Sequence, residues 1–386
     1  MDEEAYVGRE QTLIKHFILH KYLERFAFIV GSWREAITYV DCFSGPWNVR
    51  SENLDDSSFA IALNELRKAR DAYHQQGRSI RLRCFFLEKD PAAYSRLKEF
   101  GDGISDATIE THNGALEDSI SRILTFVSEG GADSFPFIFI DPTGWTGFDM
   151  DTIEPLLKLN PGEVLINFMT GHIRRFLDSP QEGTQTSFTR LFGSDTFRQR
   201  VAGLSQHDLD DAAVEEYSAA VRAVGNFNYI CSAIVLHPEK DRTHFHLIYA
   251  TRSPKGVEVF KEAEKKAMEV QEHARAEAHQ RQREQRTGQA SLLSSDELHD
   301  PSYYNSLRDR YLEKSKNSVL QALIAGGRLP YDGAWTLALS QPMTWESDLK
   351  EWIRDWQGDG RLEIAGLKPR ARVPQRGQDH YLEAIS

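Results

Sequence analysis

Short apolar runs alternate with amphipathic helical patterns along the first 250 residues of the chain. The runs have the length of strands and are rich in branched and aromatic side chains. The run Phe135–Asp141 is apolar at every position before its final carboxylate, as expected of a strand covered on both faces. The predicted strands are Ile37–Asp41, Leu82–Glu88, Thr108–His112, Phe135–Asp141, Val164–Met169, Tyr229–Leu236 and His244–Thr251. The helical patterns between them are Thr12–Val30, Ser57–Tyr73, a helix that opens at Asp90-Pro91, and Leu116–Val127.

Five β-α units followed by a hairpin predict an α/β fold, with a doubly wound, Rossmann-like sheet that ends in an antiparallel hairpin. This order is more typical of the sheet of S-adenosylmethionine (SAM) methyltransferases than of NAD dehydrogenases. Residues 178–226 show no strand pattern, which predicts a helical insertion where a substrate-facing lobe can lie. We expect residues 1–257 to form this first domain.

The character of the chain changes after residue 257. Residues 258–302 begin with a stretch rich in Glu, Lys, Arg, Gln and Ala. This stretch predicts an extended solvated helix, with a coiled-coil seam as the alternative. A Gly/Ser/Asp-rich linker follows it. Residues 303–386 predict three helices and two short strands around a basic loop. That pattern suggests a small winged helix-turn-helix domain, and 386 residues are enough for two domains.

Composition narrows the class of protein. Apolar residues make up 40% of the chain, enough for a core, and no apolar run approaches the ~18 residues that a membrane span needs. The acidic start, from Met1 to Glu4, is unlike a signal peptide, so we expect a cytoplasmic protein without membrane contact. The three cysteines have no CxxC spacing and are expected to be buried thiols. No metal site is predicted, because the histidines show no HExxH pattern.

The net charge of −12 is unevenly distributed. Residues 301–386 hold 12 Lys and Arg against 11 Asp and Glu, which leaves 34 against 47 for residues 1–300. An acidic body repels phosphates, so any contact with nucleic acid has to be local. The basic loop, or wing, of the C-terminal unit has four cations: Lys368, Arg370, Arg372 and Arg376. The last helix has four acids on its polar face: Glu346, Asp348, Glu351 and Asp355. Docking of a protein partner on this helix is the favoured prediction, and contact of the wing with the backbone or the minor groove of a nucleic acid is the alternative.

Polar residues follow the first three predicted strands, at the end where doubly wound sheets bind ligands. Asp41 ends strand one, and Gly45 in the following turn lets backbone amides approach a ligand. Glu88 ends strand two, where a carboxylate can accept hydrogen bonds from both ribose hydroxyls. Asn113 follows strand three, where a side-chain amide can contact an adenine edge.

The fourth strand ends in Asp141-Pro142. A lone acid after a strand is usually a helix cap, but four polar strand ends in order predict a nucleoside pocket.

These ordered motifs resemble the three-Cys-motif partner protein family. They are Val-Asp-Cys-Phe-Ser-Gly-Pro from Val40, the strand-two acid Glu88, the turn Asn113-Gly114 and Ile-Asp-Pro-Thr-Gly from Ile140, with support from Lys15-His16, Tyr22 and the late strand that ends at Thr251. The resemblance covers about residues 10–260, and the C-terminal unit looks like the winged helix of some members. It implies a SAM-dependent methyltransferase whose gene accompanies that of a radical-SAM-like three-cysteine protein. The expected SAM-binding residues are Asp41, Phe43, Ser44, Gly45, Glu88, Asn113 and Asp141.

Two departures from methyltransferase motifs leave the activity open. Trp47 stands where a glycine-rich loop would have its second glycine. Amino-methyltransferases have D/N-P-P-aromatic after strand four, so that a carboxylate or amide and a carbonyl accept hydrogen bonds from the target amine and an aromatic ring stacks on the base. Here Thr143-Gly144 follow Asp141-Pro142, and Trp145 comes one position late.

The predicted reaction is methyl transfer to an exocyclic amine of a nucleic-acid base, with Asp141, Pro142 and Trp145 as catalytic residues. The alternative is a catalytically inactive scaffold that works with the three-cysteine protein. Whether the acceptor is DNA, RNA or protein stays open.

Overall fold

The computed structural model describes residues 3–45, 49–51, 53–144, 146–176, 182–193, 197, 201, 203–290, 293–368 and 373–385. The strands are β1 (Ala36–Asp41), β2 (Arg81–Glu88), β3 (Thr108–Asn113), β4 (Ser134–Ile140), β5 (Glu163–Phe168), β6 (Tyr229–Leu236), β7 (Thr243–Thr251), β8 (Arg328–Pro330), β9 (Leu362–Ala365) and β10 (Tyr381–Ala384). The helices are a 3-10 helix (Glu3–Tyr6), α1 (Glu10–Gly31), α2 (Ser58–Gln75), α3 (Pro91–Asp102), α4 (Leu116–Glu129), α5 (Met150–Leu157), α6 (Thr170–Phe176), α7 (Glu182–Phe192), α8 (Gln206–Gly225), α9 (Pro254–Thr287), α10 (Ser295–Leu298), α11 (Ser302–Gly326), α12 (Tyr331–Ser340) and α13 (Glu346–Gly358).

The main sheet has the strand order β3-β2-β1-β4-β5-β7-β6. Strands β1 to β5 are parallel, and β7 lies antiparallel between β5 and β6. The predicted Rossmann-like, methyltransferase-type sheet with a terminal antiparallel hairpin is therefore confirmed. Because β5 and β6 both run antiparallel to β7, the β6–β7 hairpin at residues 237–242 lies at the edge where β1 to β5 end, here called the carboxyl edge.

Helices cover both faces of the sheet. On one face α1, α2 and α9 pack in a core that contains Tyr22, Phe26 and Phe137, and on the other α4, α5 and α8 pack around Ile138 and Ile166. This double cover explains why β4 is buried at every position. The three cysteines are buried and free, as predicted. The described part of the insertion predicted at 178–226 contains α7 and α8.

Among the described residues, no helix is both long and apolar enough to cross a membrane.

The long helix α9 is more buried than its polar composition predicted. Val257, Phe260, Ala267 and Met268 are buried against α1 and the sheet, so the expectation of a solvated helix is wrong. Alanines and a few aliphatic residues are enough to form this face, because α1 and β6 supply the larger side chains.

The C-terminal unit consists of α11, α12 and α13 with an antiparallel sheet in the order β8-β10-β9. The sequence predicted the three helices and two of the strands; β8, only three residues long, was missed. This unit packs on the edge strand β6, where the rings of Tyr229 and Trp335 lie 6.1 Å apart. Its buried side chains join the same apolar cluster as α1 and β6, so the two parts share one core. The domain boundaries stay a prediction.

Candidate functional site

The carboxyl edge of the sheet brings the predicted strand-end residues next to one another. Glu88 and Asn113 are paired across β2 and β3, and Asp41 ends the neighbouring strand β1. Asp141 follows β4, on the other side of β1. Asp41, Glu88 and Asp141 lie there because apolar runs stop at these side chains, whereas Asn113 ends the mostly polar edge strand β3.

Asp41 is fully buried and organises the turn after β1. Its Oδ1 accepts a hydrogen bond from the Phe43 backbone N–H at 3.1 Å, and its Oδ2 accepts one from the Ser58 hydroxyl at 2.6 Å. Burial raises the pKa of Asp41 to about 6, although the hydrogen bonds from Ser58 and Phe43 act to lower it. Both carboxylate oxygens are thus used inside the protein, which makes Asp41 a residue that positions the turn.

The turn itself is held between β1 and β2. The Ser44 N–H donates to the Leu87 carbonyl at 2.7 Å, and the Ser44 hydroxyl donates to the Asp41 carbonyl at 2.9 Å. Phe43 is half-buried beside it, and Gly45 ends the described segment. Trp47, which stands where a glycine-rich loop would have its second glycine, lies outside the described residues.

Glu88 and Asn113 form the next part of the edge. Glu88 is 3% exposed, and its Oε1 accepts a hydrogen bond from the Asp90 N–H at 2.6 Å. The Asn113 side-chain nitrogen donates to the carbonyls of Glu88 at 2.8 Å and Lys89 at 3.2 Å. Asn113 therefore braces the segment after β2, and the amide nitrogen expected to contact adenine is already engaged.

Asp141 is held by two residues that sequence reasoning had not placed at the site. Lys15 of α1 forms an ion pair with its Oδ2, and the Asn167 side-chain nitrogen, on β5, donates to its Oδ1 at 2.7 Å. Asn167 is buried, and within the described part of the chain its Oδ1 accepts no hydrogen bond. The only sequence signal for Asn167 is a single amide in an apolar strand.

The segment after Asp141 is partly described. Pro142 is buried and Thr143 is exposed, and the chain then passes through the buried Phe148 to Asp149, whose carboxylate caps α5. Trp145, the predicted stacking residue, lies outside the described residues.

Histidines and cations lie close to one another at the same edge. The pKa of His244, at the start of β7, is lowered to about 4, mainly by burial and in addition by the nearby His237, Arg242, His172 and Lys15. The His237 and His244 rings are 5.7 Å apart. His244 therefore lies within electrostatic reach of Lys15, which pairs with Asp141, and of Arg242 on the β6–β7 hairpin.

The predicted wing and acidic helix of the C-terminal unit are partly used inside the protein. Arg376 donates to Glu258 at 3.0 and 2.5 Å, Lys368 is exposed, and Arg370 and Arg372 lie outside the described residues.

Two of the four acids on α13 are also engaged. Glu346 accepts from Tyr331 at 3.1 Å and pairs with Lys350. Asp348 pairs with Arg308 and caps α13 through the Trp345 N–H. Only Glu351 and Asp355 are exposed acids of the predicted partner-docking face.

The sequence matches no protein-family model and no curated protein. Among solved structures, a Legionella pneumophila protein of the DUF519 family has 11% identity and a TM-score of 0.41, over 66% of this chain and 92% of that one. Loganic acid methyltransferase with SAH has 9% identity and a TM-score of 0.30, over 69% and 84% of the two chains. Neither likeness is close enough to bear on function.

Proposed function

We propose that this protein is a SAM-dependent methyltransferase that acts on an exocyclic amine of a nucleic-acid base. The observation that carries the proposal is Asp141, fixed at the end of β4 between Lys15 and Asn167. The neighbouring Oδ1 of Asn167 is a buried acceptor without a donor among the described residues, and a bound amine would satisfy it. Acceptors grouped at the ligand-binding edge of such a sheet suit an amine substrate.

The same edge fits a SAM molecule in two respects. Glu88 supplies a buried carboxylate at the end of β2, suited to ribose hydroxyls, and the Phe43–Gly45 turn offers backbone near the methionine part. SAM, when bound, supplies an activated methyl group. Asn113 would contribute by holding the Glu88–Lys89 backbone in place.

The chain's own residues would orient the acceptor. Hydrogen bonds from the amine to the Asp141 carboxylate and the Pro142 carbonyl would leave the nitrogen lone pair free to bond the methyl carbon. The Lys15 ammonium fixes the carboxylate in one orientation, and so lowers the entropic cost of aligning the amine. Trp145 is the proposed stacking residue.

A second candidate function is a catalytically inactive scaffold for a radical-SAM-like three-cysteine protein. The ion pair of Lys15 with Asp141 favours it, because the pair occupies one of the two carboxylate oxygens that an amine would use. The proposal also includes four further points: membership in the three-Cys-motif partner family, a winged-helix fold for residues 303–386, domain boundaries after residues 257 and 302, and a cytoplasmic location.

Calorimetry with SAM and S-adenosylhomocysteine tests cofactor binding, and mass spectrometry of nucleic acid from cells with and without the gene tests the reaction. We expect Asp141→Ala to bind the cofactor within about threefold of wild type, while transfer falls by at least about 10² because the acceptor amine is no longer aligned. Asp151→Ala, an exposed acid on α5, is the matched control. Wild-type protein that binds no cofactor at millimolar concentration would refute the proposal, and a fully active Asp141→Ala would remove Asp141 from the chemistry.

A further inference from the structure

The second half of α9 continues past the sheet on the side of the candidate site. The helix has 34 residues, about 51 Å at 1.5 Å per residue, whereas the eight residues of β6 span about 26 Å. Gln271 accepts a hydrogen bond from the N–H of Leu236, the last residue of β6, at 2.8 Å. Because β6 ends at the carboxyl edge, the part of α9 after Gln271 stands above that edge.

The β6–β7 hairpin is fixed to this part of α9. The buried Arg275 donates to Asp241 at 2.7 Å and to the His237 carbonyl at 3.4 Å. Further along, Arg281 pairs with Glu10 at the start of α1, and Lys15 on α1 holds Asp141. A series of contacts through α9 and α1 therefore connects the hairpin with the candidate site.

The cations of this region are unevenly paired. Arg275 and Arg281 are bound to acids, but four exposed cations of the described hairpin and of α9 after Gln271 form no ion pair. These are Lys240, Arg242, Arg283 and Arg286, here called the cationic rim. Glu239 is an exposed acid on the same hairpin. A cleft of about 440 Å³ separates hairpin from helix, lined by Glu239, Asp241, His279, Gln282, Arg283 and Arg286.

We infer that the cationic rim binds the phosphate backbone of the nucleic acid whose base enters the candidate site. The inference rests on the proposed function and names the surface that holds its substrate. Exposed cations without internal partners are the groups that can neutralise phosphates at little cost, and on an otherwise acidic chain they give the local charge that such binding requires. The Gln282 amide and the His279 ring in the cleft add hydrogen-bonding groups that suit phosphate or sugar oxygens.

The rim is better placed for this role than the wing of the C-terminal unit. Of the four wing cations, Arg376 is engaged by Glu258 and lies 5.4 Å from the Trp335 ring, which leaves Lys368 as the exposed cation of the described wing. The rim also adjoins His244, which lies within electrostatic reach of both Arg242 and Lys15. A backbone bound there would lie at the same edge of the sheet as Asp141.

The test measures binding without SAM, so that it does not depend on catalysis. Fluorescence anisotropy of labelled single-stranded RNA and DNA of about 20 nucleotides, in about 50 to 200 mM salt, gives the affinity and its salt dependence. The rim variant carries Lys240→Gln, Arg242→Gln, Arg283→Gln and Arg286→Gln. The charge-matched control carries Lys316→Gln, Arg328→Gln, Arg354→Gln and Arg361→Gln in the C-terminal unit.

We expect the rim variant to lose at least about tenfold in affinity at the lowest salt, and its log–log salt slope to fall by about 3, because each lost phosphate contact removes about 0.7–0.9. The control should bind as wild type, and both variants should keep the wild-type melting temperature. The RNA and DNA arms identify the preferred backbone. Wild type that binds neither nucleic acid, or a control that weakens binding as much as the rim variant, overturns the inference. If the rim variant loses nucleic-acid binding but wild type transfers no methyl group, the inference about the cationic rim stands and the proposed reaction is refuted.

Discussion

Replacement of Asp41 by asparagine should stabilise the protein at neutral pH while it keeps the turn after β1. Asn has nearly the same shape as Asp, and its carbonyl oxygen can accept the hydrogen bond from the Phe43 N–H. The hydroxyl of Ser58 can rotate to accept from the new amide. The substitution therefore removes an ionisable group from a fully buried position without opening a cavity.

The magnitude follows from the pKa of Asp41. Burial raises it from the ordinary 3.8 to about 6, so between these values the folded protein holds the proton that the unfolded chain releases. Stability therefore falls as the pH rises from about 4 to about 6, and stays lower above. Two pKa units correspond to about 3 kcal/mol, of which about 1 is already lost at about pH 4.5. The advantage of Asp41→Asn should thus grow by about 2 kcal/mol between about pH 4.5 and pH 8.

Denaturant unfolding of wild type and variant across this pH range measures the difference directly. Asp56→Asn is the control with the opposite sign. Burial acts to raise the pKa of Asp56, but hydrogen bonds from the Arg50 and Ser51 N–H groups and from Arg9 outweigh it and lower the pKa. Its stabilising effect is present above the unfolded pKa and lost in acid, so Asp56→Asn should be most harmful at high pH. A stability difference for Asp41→Asn that does not change with pH would refute the reasoning.

Two further predictions concern the Lys15–Asp141 pair and the junction with the C-terminal unit. Lys15→Met should cost about 3 kcal/mol of unfolding free energy, because it leaves the largely buried Asp141 carboxylate without its cation, and it should reduce methyl transfer more than cofactor affinity. The control Lys98→Met breaks an exposed ion pair on α3 and should leave stability nearly unchanged. Equal losses of stability in both variants would contradict the role of burial. Trp335→Ala should cost about 3–5 kcal/mol of unfolding free energy, since the indole is 1% exposed in the shared core. Ile324 is 60% exposed, so Ile324→Ala should change the unfolding free energy by about 0.5 kcal/mol or less. Chemical denaturation measures both, and a small effect of Trp335→Ala would mean that the C-terminal unit is only loosely attached.

Elements set by local signals were predictable from the sequence. The strand predicted at Ile37–Asp41 is observed at Ala36–Asp41, and the helix expected to open at Asp90-Pro91 does so, with Asp90 accepting from the Ala93 N–H at 2.8 Å. A strand end is a local feature, because an apolar run stops where a polar residue begins. The positions of the four strand-end residues on one edge then follow from the parallel topology.

Contacts between distant residues were not predictable in this way. Lys15 is 126 residues from Asp141, and nothing in the spacing of α1 indicates which of its polar side chains reaches the edge of the sheet. The role of Asn113 was ambiguous for a related reason. An amide after a strand can face a ligand or a neighbouring carbonyl, and only the positions of the Glu88 and Lys89 carbonyls decide between them.

The polar composition of α9 does not reveal its buried face, because that face includes charged side chains. These side chains can be buried since they form hydrogen bonds with backbone groups. Lys261 donates to the Gln341 carbonyl at 2.8 Å, and Glu264 accepts from the Met343 N–H at 2.7 Å, both in the segment between α12 and α13. Such residues are rarely buried unless they have partners, so composition alone predicts a solvated helix. With these partners, the two side chains fix where the C-terminal unit docks on α9, as Gln271 fixes the end of β6. The first half of the helix is thereby packed on the core, and the second half, held by Arg275 and Arg281, carries Arg283 and Arg286 of the cationic rim on its exposed face.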